Sequence, residues 1–199
     1  QLALSSMPLF HISRNFFPLR NRATGRDATG TVANLVTGPD GRELSGVNFA
    51  AGDGASDTLP DSLDGDSTIM GWFNNMPTLP ITLWTIGTLN IQIIAGYILR
   101  ITDGVNPAME VALNDYSGTS WAHIAVVRDG LTIRAYENKV LIDSWDLDSI
   151  EDYGTACRCI NVAEGSAFDF MVLPRSLNAE IEYYYDNVLR GGDEVLPDF

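Results

Sequence analysis

Short apolar segments recur about every ten residues along this chain, and Gly, Asn, Asp or Pro stands between them. Between residues 46 and 113 this pattern predicts strands at 46–50, 68–74, 81–87, 89–95, 97–102 and 109–113. The 18 Gly and nine Pro residues also suit many short strands better than long helices. Short strands at even spacing are typical of an antiparallel two-sheet sandwich or jelly roll. The predicted fold class is therefore all-β.

One late segment predicts a short C-terminal helix instead, LPRSLNAEIEYYYDNVL at residues 173–189. Asn178 is the expected N-terminal cap, and acidic residues follow where the helix dipole favours negative charge. An apolar stripe predicts that the helix lies on the body of the domain, with Tyr183 and Asp186 outward. The stripe consists of Leu177, Ile181, Tyr185 and Val188.

The segment WAHIAVVRDGLTIRAYENKVLI, residues 121–142, alternates in polarity on both sides of a turn at Asp129–Gly130. Trp121 and His123 share one face of its first half, and the intervening residues share the other. Both faces are largely apolar, as expected of a central strand covered on both sides. We therefore predict that His123 is a buried, hydrogen-bonded core histidine, and that its face fills the space between two stacked sheets.

Charge is distributed unevenly along the chain. The formal net charge is −14, which argues against nucleic-acid binding through phosphate neutralisation. Residues 1–26 contain four Arg and no acid, so the remainder of the chain carries −18 of formal charge. The sequence contains no run of about 18 apolar residues that would span a membrane, and its opening residues do not form a recognisable signal peptide.

The first 26 residues combine positive charge with apolar side chains, so we expect an arm that docks on an acidic surface. That surface belongs either to the same chain or to a neighbouring subunit. Docking on the same chain is slightly favoured, because N-terminal strands commonly complete a sheet. Docking on a neighbour would make the chain a homo-oligomer or a component of a larger assembly. The residues expected to make the contacts are Arg14, Phe16, Phe17, Arg20 and Arg22.

The two cysteines, Cys157 and Cys159, are two positions apart on a predicted strand and therefore point to the same face. A disulfide between them would be strained, and two Cys without further Cys or His nearby do not make a zinc site. We predict two free, partly buried thiols.

The order TIMGWF, then WAHIAVVRDGLTIRAYENKVLI, then FDFMVLPRSLNAEIEYYYDNVL resembles the laminin-G-like, concanavalin A-like lectin and glucanase jelly-roll superfamily. The matching positions are Trp72, Trp121, His123, Ala125, Arg128, Asp129, Gly130, Tyr136, Asn138, Asp169, Arg175, Leu177 and Ile181. The resemblance implies a jelly-roll domain over about residues 27–190, between an arm at 1–26 and a tail at 191–199. The sequence departs from the family at Lys139, where Gly is usual. Asn138 must then adopt the left-handed conformation, or the turn changes type.

The same superfamily includes glycoside hydrolases, whose active members carry E-x-D-x-x-E or E-x-D-x-E on a strand. This sequence has no such motif. It also has no recognisable Ser or Cys nucleophile with a partnering base and acid. We therefore predict a protein without enzymatic activity, and a glycoside hydrolase is the least favoured alternative.

An acidic loop is predicted at residues 51–66, and its carboxylates are the type of ligand that Ca²⁺ binds. Many laminin-G-like modules hold calcium at the rim, so the resemblance implies the same here. The candidate ligands are Asp53 and Asp57, with Asp169 as a more distant third. A solvated acidic loop without metal is the alternative.

A glycan site would need an aromatic side chain for stacking and Asn or Asp side chains for hydrogen bonds. Asn114, Asp115, Tyr116 and Trp145 are the candidates, and all four are predicted to lie in exposed loops. The alternative for each is ordinary loop structure or half-buried packing.

Two classes of function fit these expectations. The favoured one is a non-enzymatic adhesion or decoration module on a virion surface or in the extracellular space, such as a structural subunit of a phage particle, that also binds glycan. The other is a free-standing, calcium-dependent, lectin-like carbohydrate-binding protein. Fold-level analogy carries much of this choice, and a fold does not by itself establish a function.

Overall fold

The structure is a computed structural model that describes residues 10–12, 20–21, 26–27, 32–43, 46–49, 54–74, 80–114, 120–161 and 165–190. The described residues form 16 β-strands and one α-helix. In chain order these are β1 (Phe10–Ile12), β2 (Arg20–Asn21), β3 (Arg26–Asp27), β4 (Val32–Val36), β5 (Gly46–Phe49), β6 (Ala55–Thr58), β7 (Ser67–Asn74), β8 (Ile81–Ile86), β9 (Leu89–Ile94), β10 (Ile98–Thr102), β11 (Met109–Ala112), β12 (Ala122–Asp129), β13 (Thr132–Glu137), β14 (Val140–Asp146), β15 (Ala156–Asn161), β16 (Gly165–Leu173) and α1 (Glu180–Leu189).

Two antiparallel sheets make up the body of the protein. The eight-stranded sheet has the order β14-β13-β12-β7-β16-β5-β4, with β1 also paired to β16. The six-stranded sheet has the order β11-β10-β9-β8-β15-β6, and β2 and β3 form a separate pair. The prediction of an all-β protein with two antiparallel sheets and one short helix is confirmed.

The six strands predicted from residues 46 to 113 all form, and each end lies within one residue of its predicted position. The predicted loop at 51–66 is partly wrong, because β6 lies within it. There Asp57 pairs with Cys157 on β15. The sequence of β6, ASDT, has no apolar alternation, so its pairing depends on the edge that β15 offers rather than on its own side chains.

The main core fills the space between the two sheets. It contains the inward side chains of both, including Trp84 from the six-stranded sheet and Phe49 and Phe170 from the eight-stranded one. The rings of Trp84 and Phe170 meet edge to face at 5.6 Å between centroids. Cys157 and Cys159 are free, as predicted, and they are fully rather than partly buried in this core.

A second core lies on the outer face of the eight-stranded sheet and is covered by α1. Trp72, Ala125 and Val127 contribute to it from the sheet, and Ile181, Tyr184 and Val188 contribute from the helix; Trp121 packs against its edge. The sequence prediction that the Trp121 and His123 face lies between the sheets is therefore wrong. A strand with two apolar faces does not reveal which face meets the second sheet and which meets a helix.

The turn that follows β13 resolves the question raised by Lys139. Asn138 and Lys139 both have positive φ, 46° and 68°, and Glu137 pairs with Val140 across the turn. A two-residue loop with both residues left-handed is the type I′ hairpin, whose twist matches that of the flanking strands. Of the two alternatives that the sequence left open, Asn138 therefore takes the left-handed position, and Lys139 takes one as well.

Helix α1 begins without the predicted cap. Ala179 is the N-cap residue, and no side chain caps the helix. Asn178 instead accepts a hydrogen bond from the Tyr136 hydroxyl at 3.1 Å, which commits its side chain to the sheet. Tyr183 points outward as predicted and is 53% exposed. No helix among the described residues is long and apolar enough to cross a membrane.

Only short backbone segments of the predicted N-terminal arm are described. In β1, Phe10 pairs with Val172 and Ile12 with Phe170 of the same chain, so this segment extends the eight-stranded sheet. Arg20 lies in β2, opposite Asp27. The contact residues Arg14, Phe16, Phe17 and Arg22 lie outside the described residues, and the predicted contacts of the arm stay predictions.

Candidate functional site

Four aromatic rings meet between β7, β12 and α1, and we call this group the histidine box: Trp72, His123, Tyr184 and Tyr185. The His123 ring lies 5.1 Å from that of Trp72, 5.4 Å from that of Tyr184 and 5.9 Å from that of Tyr185. Trp72 and Tyr185 are stacked with centroids 4.9 Å apart. Cross-strand pairing of His123 with Trp72 places the two sheet residues side by side, and the helix closes over them.

His123 is completely buried, and neither ring nitrogen has a hydrogen-bond partner among the described residues. Burial lowers the pKa of His123 to about 3, although the nearby Asp169 carboxylate favours the charged form. The imidazole is therefore neutral at physiological pH. The prediction of burial is confirmed, but the predicted hydrogen bonds of the ring are not found in the described part of the chain.

Asp169 lies beside this box and not at a rim. It is 1% exposed, has a positive φ of 45°, and lies where the pairing of β16 with β7 shifts in register. The Tyr184 hydroxyl donates a buried hydrogen bond to its carboxylate. Asp169 thus anchors the helix, and a role as a rim calcium ligand does not fit its position.

Polar contacts at both ends of the helix hold the cover of the box in place. Near its start, the Leu177 amide donates to the Thr68 hydroxyl at 2.9 Å. Near its end, the Lys139 ammonium donates to Asp186 at 2.8 Å, and this hydrogen bond is the main cause that raises the pKa of Lys139. Trp72, His123 and Tyr184 are buried in the box, and Tyr185 is half-buried at its surface.

The two predicted glycan-binding residues that the structure describes, Asn114 and Trp145, do not lie together. The backbone amide and side-chain amide of Asn114 donate to the Glu137 carboxylate at 2.9 and 2.7 Å, at one end of β13. Trp145 lies in β14 opposite Ile133, near the other end of β13, and packs half-buried against the main core. Four residues along a strand separate the two positions by roughly 13 Å. The prediction that Trp145 lies in a loop is wrong, and Asp115 and Tyr116 lie outside the described residues.

The two predicted calcium ligands that are described, Asp57 and Asp169, also lie apart. Asp57 belongs to the six-stranded sheet, whereas Asp169 lies under α1 on the far face of the other sheet. Asp53 lies outside the described residues. Among the residues that are described, no group of three or more His, Cys, Asp or Glu side chains is arranged to hold a metal ion.

One end of the molecule carries a surface that the sequence analysis missed. We call it the loop end, and it comprises residues 59–66, 103–108, 129–131 and 146–155. Val105, Ile150 and Leu131 project from three of its loops and are 62%, 50% and 48% exposed. The available signal was an apolar residue within each of the turn segments DGVNPA, DGL and DLDSIED, where polar residues are usual.

Hydrogen bonds join the loops that carry these side chains. The Asn106 side chain accepts from the Asp148 amide at 2.9 Å, and the Leu147 amide donates to the Leu131 carbonyl at 2.7 Å. Val105 is adjacent to Asn106 in sequence, and Ile150 is two residues from Asp148. The three exposed apolar side chains therefore lie on one connected surface.

The buried Arg128 side chain connects two of the loops at the loop end. The Arg128 guanidinium donates to the Gly65 carbonyl at 2.7 Å and to the Glu151 carbonyl at 2.9 Å, so it connects two of the loops. It also lies over the Tyr153 ring, 4.8 Å from the centroid. Arg128 is only 2% exposed. Its place at the end of β12 fixes the loops to the central part of the sheet.

Comparison with known proteins finds likeness in structure only. No protein-family model matches the chain, and no curated protein matches it in sequence. The binding domain of botulinum neurotoxin serotype D/C VPI 5993 is similar with a TM-score of 0.70 and 13% identity over 94% of this chain and 53% of that chain. The binding domain of Paraclostridial Mosquitocidal Protein 1 has a TM-score of 0.66 and 16% identity over 93% of this chain and 53% of that chain.

A third structure, the binding domain of botulinum neurotoxin DC in complex with SialylT, has a TM-score of 0.68 and 14% identity over 94% of this chain and 52% of that chain. At these identities the likeness shows the fold alone. The chain spans about half the length of each of these toxin domains. All three neighbours are described as binding domains.

Proposed function

We propose that this chain is a non-enzymatic recognition module, a concanavalin A-like jelly roll displayed on a cell or particle surface, that binds a surface glycan. The observation that carries the proposal is its fold, which matches 94% of the chain to half of a toxin binding domain. The burial of His123 and Asp169 in aromatic packing agrees with it, because both side chains serve the attachment of a helix.

The segment that starts at Asn114 is the better of the two places considered for the glycan. The Glu137 carboxylate accepts hydrogen bonds from the backbone and side-chain amides of Asn114. The Asn114 side chain is therefore already oriented before a ligand binds. Asp115 and Tyr116 follow directly in the sequence and supply a further hydrogen-bonding group and an aromatic ring. Trp145 lies too far along the strand to stack on the same sugar.

A glycan array tests this proposal with two tyrosine variants. Binding by the unmodified chain is compared on an array that includes SialylT, with calcium and with a chelator. Tyr116→Ala is expected to weaken binding about two- to twelvefold, since loss of one stacking ring costs on the order of 0.5–1.5 kcal/mol. Tyr183→Ala, at an exposed tyrosine on α1, is the matched control. An array without signal in both conditions overturns the proposal, and loss of signal with the chelator alone identifies a calcium-dependent lectin.

A second candidate function, a structural subunit of an assembly, is favoured by the edge of the eight-stranded sheet. The terminal strand β14 pairs only with β13 in the described sheet order and exposes Val140 and Leu141, which are 61% and 49% accessible. An exposed edge strand offers a row of backbone donors and acceptors for another strand. A second copy of the chain paired there would continue the sheet.

Sedimentation of the intact chain tests this second candidate. We expect a mass above that of the monomer, which Val140→Lys returns to the monomer value without a change in melting temperature. Leu189→Lys, at an apolar residue exposed on the helix, is the control and leaves the mass unchanged. A monomeric unmodified chain rules out self-association through β14.

A further inference from the structure

The loop end combines exposed apolar side chains with a strong negative charge. Its four segments contain nine Asp or Glu and no Lys, Arg or His, against a net charge of −14 for the whole chain. Six of these acids are exposed: Asp61, Asp64, Asp66, Asp146, Asp148 and Asp152. Exposed apolar patches with a polar rim mark interaction sites more often than ordinary surface.

The apolar side chains are held by a framework that is already formed. The buried Asp103 carboxylate accepts hydrogen bonds from the Val105 and Asn106 amides at 3.0 and 2.8 Å, which fixes the first loop. The Arg128 side chain donates hydrogen bonds to the two loops that contain Gly65 and Glu151. A partner that docks here orders little backbone, and this reduces the entropy lost on binding.

The charge of the surface limits what can cover it. Anionic lipid headgroups and nucleic-acid phosphates are repelled by the exposed carboxylates. Arg134, which borders this end, is already paired with Asp129 at 3.0 Å. Complementarity therefore favours a partner that is cationic, and the exposed apolar side chains favour one that also carries apolar groups.

We propose that the loop end binds a protein segment in which Lys or Arg residues surround apolar side chains. Val105, Leu131 and Ile150 contact the apolar part, and the carboxylates at the rim contact the cations. This surface lies away from the Asn114 segment, so the proposal adds a protein-binding surface to the module and does not depend on glycan binding.

Selection of peptides from a displayed random library against the intact chain tests the chemistry of the partner. We expect the enriched peptides to carry Lys or Arg around an apolar centre. The strongest peptide is then synthesised and titrated by calorimetry at low and high salt, and its affinity is expected to fall as salt rises. Failure to enrich any peptide, or enrichment of acidic ones, overturns the proposal.

Two triple variants and two matched controls locate the binding. Val105→Ser with Leu131→Ser and Ile150→Ser, and Asp64→Asn with Asp146→Asn and Asp148→Asn, should each weaken the peptide at least about tenfold. The apolar control combines Val140→Ser, Leu141→Ser and Leu189→Ser, and the charge control combines Glu110→Gln, Asp143→Asn and Glu182→Gln. Equal weakening by the controls shows non-specific attraction and overturns the proposal.

Two further measurements complete the test. Melting temperatures of all four variants confirm that they fold, and only folded variants are titrated. Vesicles of phosphatidylserine replace the peptide in a parallel experiment. Vesicle binding that is lost in the apolar triple variant would identify a membrane as the occupant and reject the protein segment. The glycan array, read on the same variants, should not change.

Discussion

The Tyr184 hydroxyl donates a hydrogen bond to the Asp169 carboxylate beneath helix α1, and both side chains are almost fully buried. Asp169 lies at the point where β16 shifts register against β7. The contact therefore connects the helix to an irregular position of the central sheet. Because the histidine box lies beside it, this hydrogen bond and the aromatic packing hold the same cover in place.

Tyr184→Phe should lower the free energy of unfolding by about 1–3 kcal/mol, because a buried carboxylate loses a donor. Urea unfolding measures this change. Tyr183→Phe on the exposed side of the same helix is the control and should stay within about 0.5 kcal/mol of the unmodified chain. Equal effects of the two variants would show that the buried hydrogen bond contributes nothing.

The burial of His123 predicts a loss of stability in acid. The unfolded histidine has a pKa near 6.5 and the folded one about 3, so the unfolded state binds more protons between these values. The contribution of His123 to the free energy of unfolding is therefore nearly constant above pH 6.5. It falls as the pH decreases below 6.5, by about 2 kcal/mol at pH 5.

His123→Leu removes this titration. The drop in unfolding free energy between pH 7 and pH 5 should therefore be about 2 kcal/mol smaller in the variant than in the unmodified chain, whatever the variant costs at pH 7. Urea unfolding at the two pH values measures both drops. An equal drop in the two proteins would mean that His123 is already accessible to protons in the folded state.

The strands that could be predicted from the sequence depend on a local alternation of apolar and polar residues between turn residues. The six strands between residues 46 and 113 met that condition, and so did the two halves of the 121–142 hairpin. The short strand β6 did not, since its pairing is provided by β15. The helix was predictable from its stripe, but its cap was not, because Asn178 binds a tyrosine that lies 42 positions earlier in the chain.

The candidate sites were harder to predict, because they depend on which loops and faces meet. Trp145 and Asn114 were grouped by residue type, and the register of β13 with β14 separates them. Val105, Leu131 and Ile150 look like isolated apolar residues in the sequence. Their grouping arises from hydrogen bonds such as those of Asn106, which no pattern along the chain encodes.

At position 139, which has a positive φ, glycine should give a more stable protein than alanine. Lys139 has a φ of 68°, which costs a residue with a Cβ about 1 kcal/mol. Lys139→Gly and Lys139→Ala both lose the contact with Asp186, so their difference isolates the backbone. The Gly variant should be more stable than the Ala variant by about 1 kcal/mol in urea unfolding. An Ala variant of equal or greater stability would refute the left-handed conformation at this position.

Arg128 should be the largest single contributor to the stability of the loop end. Arg128→Met removes the donors to the Gly65 and Glu151 carbonyls together with the contact to the Tyr153 ring, and should cost about 3 kcal/mol. Arg134→Met removes a partly exposed ion pair with Asp129 and should cost less than about 1 kcal/mol. Hydrogen exchange of residues 59–66 and 147–155 should accelerate in the Arg128 variant and not in the Arg134 variant, because the Arg128 side chain donates hydrogen bonds to both loops. Equal protection in both variants would show that the loops are held by their own backbone hydrogen bonds.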